Sequence, residues 1–191
     1  MKPCVTVSLV PEARGGPFIY WDDLPFACRR ARELGFAAIE VFPPSFDSKV
    51  GDSLSREVKD NGLALATVGT GGGWVKHKLT LTSADPSIRD RALRFIREAI
   101  DFAAPFGAAV IVGSMQGKAE GPASRQEALD LLGEALASLA EHARAKHVTI
   151  LYEHLNRYET NLLNRVEDVV PFLEKLGGNV KILADLFHMS I

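Results

Sequence analysis

Two stretches of the chain place acidic and imidazole side chains at the ends of apolar runs. In ILYEHLNRYETN (residues 150–161) the run stops at Glu153, and Glu159 follows six positions later. In KILADLFHMSI (residues 181–191) it stops at Asp185, with His188 three positions on. Side chains alternate along a strand, so Thr149, Leu151 and Glu153 share one face, as do Lys181, Leu183 and Asp185. If both sets point the same way from neighbouring strands, their terminal carboxylates stand about 5 Å apart laterally. Carboxylates that close repel, and one takes up a proton unless a cation sits between them. Hard oxygen donors suit Mg²⁺ or Mn²⁺, and an added imidazole moves the preference toward Mn²⁺ or Co²⁺. Each residue alone has a plainer reading: Glu153 pairing with Arg157, Asp185 capping a turn, His188 as a loop histidine. Together, on consecutive strand tips, they favour a site.

The elements that would position them alternate along the whole chain. Apolar runs at 4–10, 36–42, 63–68, 108–113, 148–153 and 179–185 read as six strands. Between them lie helical patterns: one opening at Asp22–Asp23 and closed by Gly35, a weaker one over 52–60, and a clear one over 85–103. The last is capped by Asp85, with Pro86 in its first turn. Ser124 with Glu127 forms a capping box for a fourth helix, and Asn164 with Glu167 opens a fifth that Gly177–Gly178 closes. This order requires a mostly parallel sheet covered by helices, either an open doubly wound sheet or a (β/α)8 barrel cut short. PEARGG after the first strand lacks the Gly-x-Gly-x-x-Gly of a dinucleotide fold, which favours the barrel. In both topologies functional residues gather at the C-terminal ends of the strands.

Two more strand ends carry polar loops. VGTGGGWVKHK (68–78) reads as a mobile glycine-rich loop whose Trp74 could cover a ligand, and VGSMQGKAEGPAS (112–124) offers Ser114 and Gln116 as hydrogen-bonding groups. His142 and His147 have no assignment, and His154, on the face opposite Glu153, is expected to pack against the helices. With 47% hydrophobic and 24% charged residues over 191 positions, the composition is that of a soluble single domain. A net charge of −2 gives no electrostatic footprint for nucleic acid or an anionic membrane. The apolar stretch 102–115 is broken by Pro105, Gly107 and Gly113, so it does not span a bilayer. Cys4 and Cys28 have no metal-type spacing and read as buried, reduced thiols. A cytoplasmic location is expected.

EHLNRYETN (153–161) followed by DLFHMSI (185–191) resembles the sugar isomerase/epimerase barrels of the xylose isomerase-like type, and most nearly the ketose 3-epimerases of the tagatose/psicose kind. The resemblance implies an α/β (β/α)8 TIM barrel, of which residues 1–191 would form a single, C-terminally incomplete domain with about the first six βα units. Glu153 and Asp185 would be metal ligands, and Glu153 would also exchange the proton at C3 through an enediolate. Glu159 and His188 would hold substrate hydroxyl and carbonyl oxygens, and Trp74 would belong to an apolar wall. The implied cofactor is a divalent metal, Mn²⁺ ahead of Mg²⁺ or Co²⁺, and the implied partner a small ketose or ketose phosphate, with a homo-oligomer compatible. In the family, two further ligands, a histidine and a glutamate, come from strands seven and eight. Alternatives are a hydroxypyruvate isomerase or inosose dehydratase type of the same fold, or a non-catalytic truncated barrel. An apurinic-site endonuclease needs a histidine-rich zinc cluster and a basic groove, which five histidines and a charge of −2 disfavour.

Overall fold

Alternation of apolar residues along each strand decides which face of the sheet meets the helices. The computed structural model describes residues 2–121 and 124–191, so Pro122 and Ala123 of the polar loop expected at 112–124 lie outside the described residues. In chain order the elements are β1 (Cys4–Ser8), β2 (Tyr20–Trp21), α1 (Leu24–Glu33), β3 (Ala38–Phe42), α2 (Ser48–Asp60), β4 (Ala64–Gly69) and α3 (Gly71–His77). They continue with α4 (Pro86–Ala103), β5 (Ala109–Val112), α5 (Arg125–Ala145), β6 (Ile150–Glu153), α6 (Val166–Glu174), β7 (Val180–Leu183) and α7 (Leu186–Met189). All strand pairs are parallel, and the sheet order is β2-β1-β3-β4-β5-β6-β7. From β1 onward, spatial order follows chain order, so there is no point at which the winding reverses. That progression is the one a β/α barrel uses, and it decides against the doubly wound alternative.

The core agrees with this. Val5, Val7, Ile39, Val41, Val68, Val110, Val112, Ile150 and Tyr152 pack with helix residues such as Ile96, Ile100, Leu132 and Leu136 in one buried cluster. Their alternates, Thr6, Glu40, Thr67, Leu151, Glu153 and Leu183, lie outside that cluster, so one face of the sheet carries the helices and the other stays polar and half-buried. A bulge in β4 keeps the alternation in phase. Ile39 pairs with Leu65, but Glu40 pairs with Thr67, so Ala66 is the extra residue and Thr67 falls on the face of Glu40. Truncating one fully buried leucine, Leu132 or Leu136, would cost about 2–5 kcal/mol.

Several local features differ from the sequence expectation, among them strand β2 and helix α7, which no sequence pattern marks. Residues 71–77 form a helix, because Leu79 N–H and Lys78 N–H turn back onto the Gly73 and Trp74 carbonyls and Gly73 fits tightly beneath Met115. Helix α2 begins at Ser48, since Asp47 accepts the Val50 N–H and supplies the cap. Asn164 does not cap α6: its side-chain amide donates to the Leu155 and Thr160 carbonyls, and Arg165 occupies the cap position. Cys28 is buried, its thiol pushed up to about 11 by burial and then by Glu57, whereas Cys4 is exposed. Asp23, not Asp22, caps α1, and the Ser124–Glu127 box forms as expected. No helix among the described residues is long and apolar enough to cross a membrane.

Candidate functional site

The polar face of the sheet ends in a cavity of about 790 Å³ whose lining includes Thr6, Glu40, Glu153, Glu159, Asp185 and His188. Glu153 is the last residue of β6, and Asp185 lies two residues beyond β7, as the N-cap of α7. Asp185 Oδ1 accepts the Phe187 N–H at 2.7 Å, which begins the short helix that carries His188 back over the strand ends. Glu153, Asp185 and His188 each offer one ligand atom within 4.8 Å of the others, a spacing that could hold a metal ion. His188 Nε2 lies 3.8 Å from Glu153 Oε1 and 3.9 Å from Asp185 Oδ2, while its Nδ1 lies 3.7 Å from Glu159 Oε1.

The electrostatics fit a cation. Burial, and then the facing carboxylates of Asp185, Glu40 and Glu159, push the Glu153 carboxyl up to about 8. Ionised carboxylates gathered this closely need a proton or a positive charge among them. Glycine at 113 is what admits Glu153, because a β-carbon there would overlap its Oε2. Beneath the site, the Gln116 side-chain amide donates to the Gly113 and Glu153 carbonyls at 3.0 Å each, and the Tyr152 hydroxyl donates to Gln116 Oε1. Gln116 is therefore buried scaffolding and does not face a ligand, while Ser114 lines the cavity.

The loop after β6 completes the arrangement around Asn156, which is buried. Asn156 Nδ2 donates to Glu159 Oε1 at 2.7 Å and lies 3.0 Å from His188 Nδ1, and Asn156 N–H donates to the same Nδ1 at 3.3 Å. Its Oδ1 accepts the Tyr158 N–H at 2.9 Å.

Trp74 sits half-buried on α3 and lines a neighbouring cavity of about 440 Å³, which shares Ser114, Leu155 and Glu159 with the first. Lys78 Nζ stands 4.8 Å from the centre of the Trp74 ring. His154 is fully buried, and neither ring nitrogen has a partner among the described residues; burial lowers its pKa.

Sequence reasoning passed over Glu40 and Asn156. Glu40 accepts hydrogen bonds from Thr6 Oγ1 at 3.0 Å and Thr67 Oγ1 at 2.6 Å on the polar face. Its signal was available, as the lone acid inside the apolar run FAAIEVF. Nothing local marks Asn156, whose partners are brought together by the loop and by α7.

Comparison with known proteins places this geometry. The family described as "Xylose isomerase-like TIM barrel" matches residues 28–191. The L-ribulose 3-epimerase of Mesorhizobium japonicum is 30% identical over 167 residues, covering 84% of this chain and 54% of the relative. The D-psicose 3-epimerase of Agrobacterium fabrum is 28% identical, covering 94% of this chain and 61% of the relative. The chain thus spans just over half the length of these relatives. Among solved structures, a D-psicose 3-epimerase from Clostridium cellulolyticum superposes with a TM-score of 0.77 at 22% identity, over 100% of this chain and 65% of that one. A 3-keto-D-glucoside 4-epimerase from E. coli gives 0.80 at 19% identity, over 100% and 70%. At these identities the superpositions show a shared fold.

Proposed function

The chain belongs to the xylose isomerase-like TIM barrel family, and on that premise we propose that the protein is a metal-dependent sugar epimerase acting at C3 of a ketose or ketose phosphate. The observation that carries this reading is the Glu153–Asp185–His188 group at the C-terminal ends of β6 and β7, with Glu159 alongside. The reaction class follows the relatives named L-ribulose and D-psicose 3-epimerase.

Glu153 and Asp185 would hold a divalent cation, Mn²⁺ by preference, and Mg²⁺ or Co²⁺ would also suit these oxygen donors. Such an ion supplies Lewis-acid polarisation of the substrate carbonyl, which acidifies the proton on the adjacent carbon. Inversion requires removal of the C3 proton from one face and return of a proton to the other through an enediolate. Glu153 takes the first step, as the carboxylate that ends β6 within reach of Asp185 and His188 and lines the cavity where the sugar would sit. His188 and Glu159 bind and orient substrate oxygens, and Trp74 limits water at the adjoining cavity. The test is incubation with Mn²⁺ and a panel of ketoses and ketose phosphates in D₂O, following deuterium entry at C3. Exchange with at least one sugar, lost in Glu153→Gln, is expected; no exchange with any would overturn the assignment.

A further inference from the structure

We propose that Asn156 is a positioning residue that holds His188 as its Nε2–H tautomer, so that the imidazole presents a hydrogen-bond donor, not a ligand lone pair, to the cavity beside the two carboxylates. The chemical meaning of that donor rests on the epimerase reading above; the tautomer itself does not.

The hydrogen-bond directions leave one solution. Asn156 Oδ1 accepts the Tyr158 N–H at 2.9 Å, which fixes which end of the amide is oxygen. The amide nitrogen therefore faces His188 Nδ1 at 3.0 Å and Glu159 Oε1 at 2.7 Å, with one hydrogen for each. The Asn156 backbone N–H, which can only donate, also points at Nδ1, at 3.3 Å. Nδ1 thus meets two donors, while the nearest carboxylate oxygen, Glu159 Oε1, stands at 3.7 Å, beyond hydrogen-bonding distance. A neutral imidazole bears one proton, and when one nitrogen accepts, the other donates. Nε2 carries it, 3.8 Å from Glu153 Oε1 and 3.9 Å from Asp185 Oδ2, in the cavity.

Two consequences follow. A nitrogen bearing hydrogen has no lone pair for a metal, so of the three clustered groups only the carboxylates are ligands, although spacing alone would admit all three. The same N–H is placed to donate to a substrate oxygen that enters between the carboxylates. Asn156 also ties His188 to Glu159 through one amide, so a single side chain holds both oxygen-binding groups.

Long-range ¹H–¹⁵N correlation spectra of protein labelled at histidine nitrogen, recorded above the ordinary histidine pKa, read the tautomer directly. A His188→Gln sample identifies the signals. The expected result is a pyridine-type Nδ1 and a pyrrole-type Nε2 for His188. In Asn156→Asp, a carboxylate oxygen replaces the amide donor, and Nδ1 is expected to become the protonated nitrogen. A wild-type His188 with protonated Nδ1 overturns the proposal without any variant. An unchanged tautomer in folded Asn156→Asp, judged by its far-ultraviolet dichroism, also overturns it. Sugar turnover enters neither outcome, so failure of deuterium exchange with the tautomer as stated removes the epimerase reading and leaves the role of Asn156 standing.

Discussion

Replacing Glu153 by glutamine should stabilise the metal-free protein in a pH-dependent way. The carboxyl of Glu153 titrates in the folded state at about 8 against an ordinary value of 4.5, with burial as the largest cause and Asp185, Glu40 and Glu159 after it. A carboxyl whose folded pKa is raised contributes stability that is fully present below its unfolded value and is lost as pH climbs to the folded value. At about 1.36 kcal/mol per unit, ionisation at pH 7 weakens the fold by about 3 kcal/mol, a sizeable part of the 5–15 kcal/mol typical of a domain. Glutamine keeps the shape and carries no charge, so the loss should disappear. Urea unfolding of both proteins in chelator, from about pH 4.5 to about pH 8.5, measures the difference. It should be near zero or slightly unfavourable to the variant at the acid end, grow in its favour through neutrality, and level off above about pH 8. Saturating Mn²⁺ should reverse the order, because a bound cation makes the ionised carboxylate favourable and the amide a poor replacement. A difference that stays flat across pH in chelator would refute the reasoning, since it would mean that Glu153 ionises freely.

Gly113→Ala should force the Glu153 carboxylate aside, lowering Mn²⁺ affinity about 10- to 100-fold by calorimetry, at a stability cost of about 1–3 kcal/mol. His154→Met should leave stability unchanged or raise it by about 1 kcal/mol, because neither buried nitrogen has a partner to lose among the described residues; a loss above about 2 kcal/mol would show a hidden one. Gln116→Leu should cost about 1–3 kcal/mol in urea unfolding, since it strands the buried Tyr152 hydroxyl and removes a donor from the Glu153 carbonyl, while the Gly113 carbonyl keeps the backbone N–H of residue 116.

Much of the scaffold was legible because it obeys short-range rules. The β6 and β7 alternation placed Glu153 and Asp185 on one face, and parallel pairing of Glu153 with Leu183 brings the strand ends level. The Ser124–Glu127 box was equally plain, both of its hydrogen bonds spanning three residues. Glycines at 71–73 concealed α3, because the helix there is held by packing against Met115 and by turn-closing backbone bonds that propensity does not reveal. Asn164 misled for a related reason: its amide has better partners in the Leu155 and Thr160 carbonyls than in the helix it precedes. The two-residue strand β2 is too short to carry a pattern. Asn156 was invisible for the deepest reason, since its role depends on His188, 32 positions away.

The pairing of Glu153 with Asp185 as the seat of a divalent cation is tested most directly by Mn²⁺ binding followed through the loss of the free-ion electron paramagnetic resonance signal. The wild-type protein should remove one equivalent of Mn²⁺ from solution, and Glu153→Gln combined with Asp185→Asn should remove none at the same concentrations, with both proteins folded. Equal binding by the wild type and the double variant would contradict the assignment.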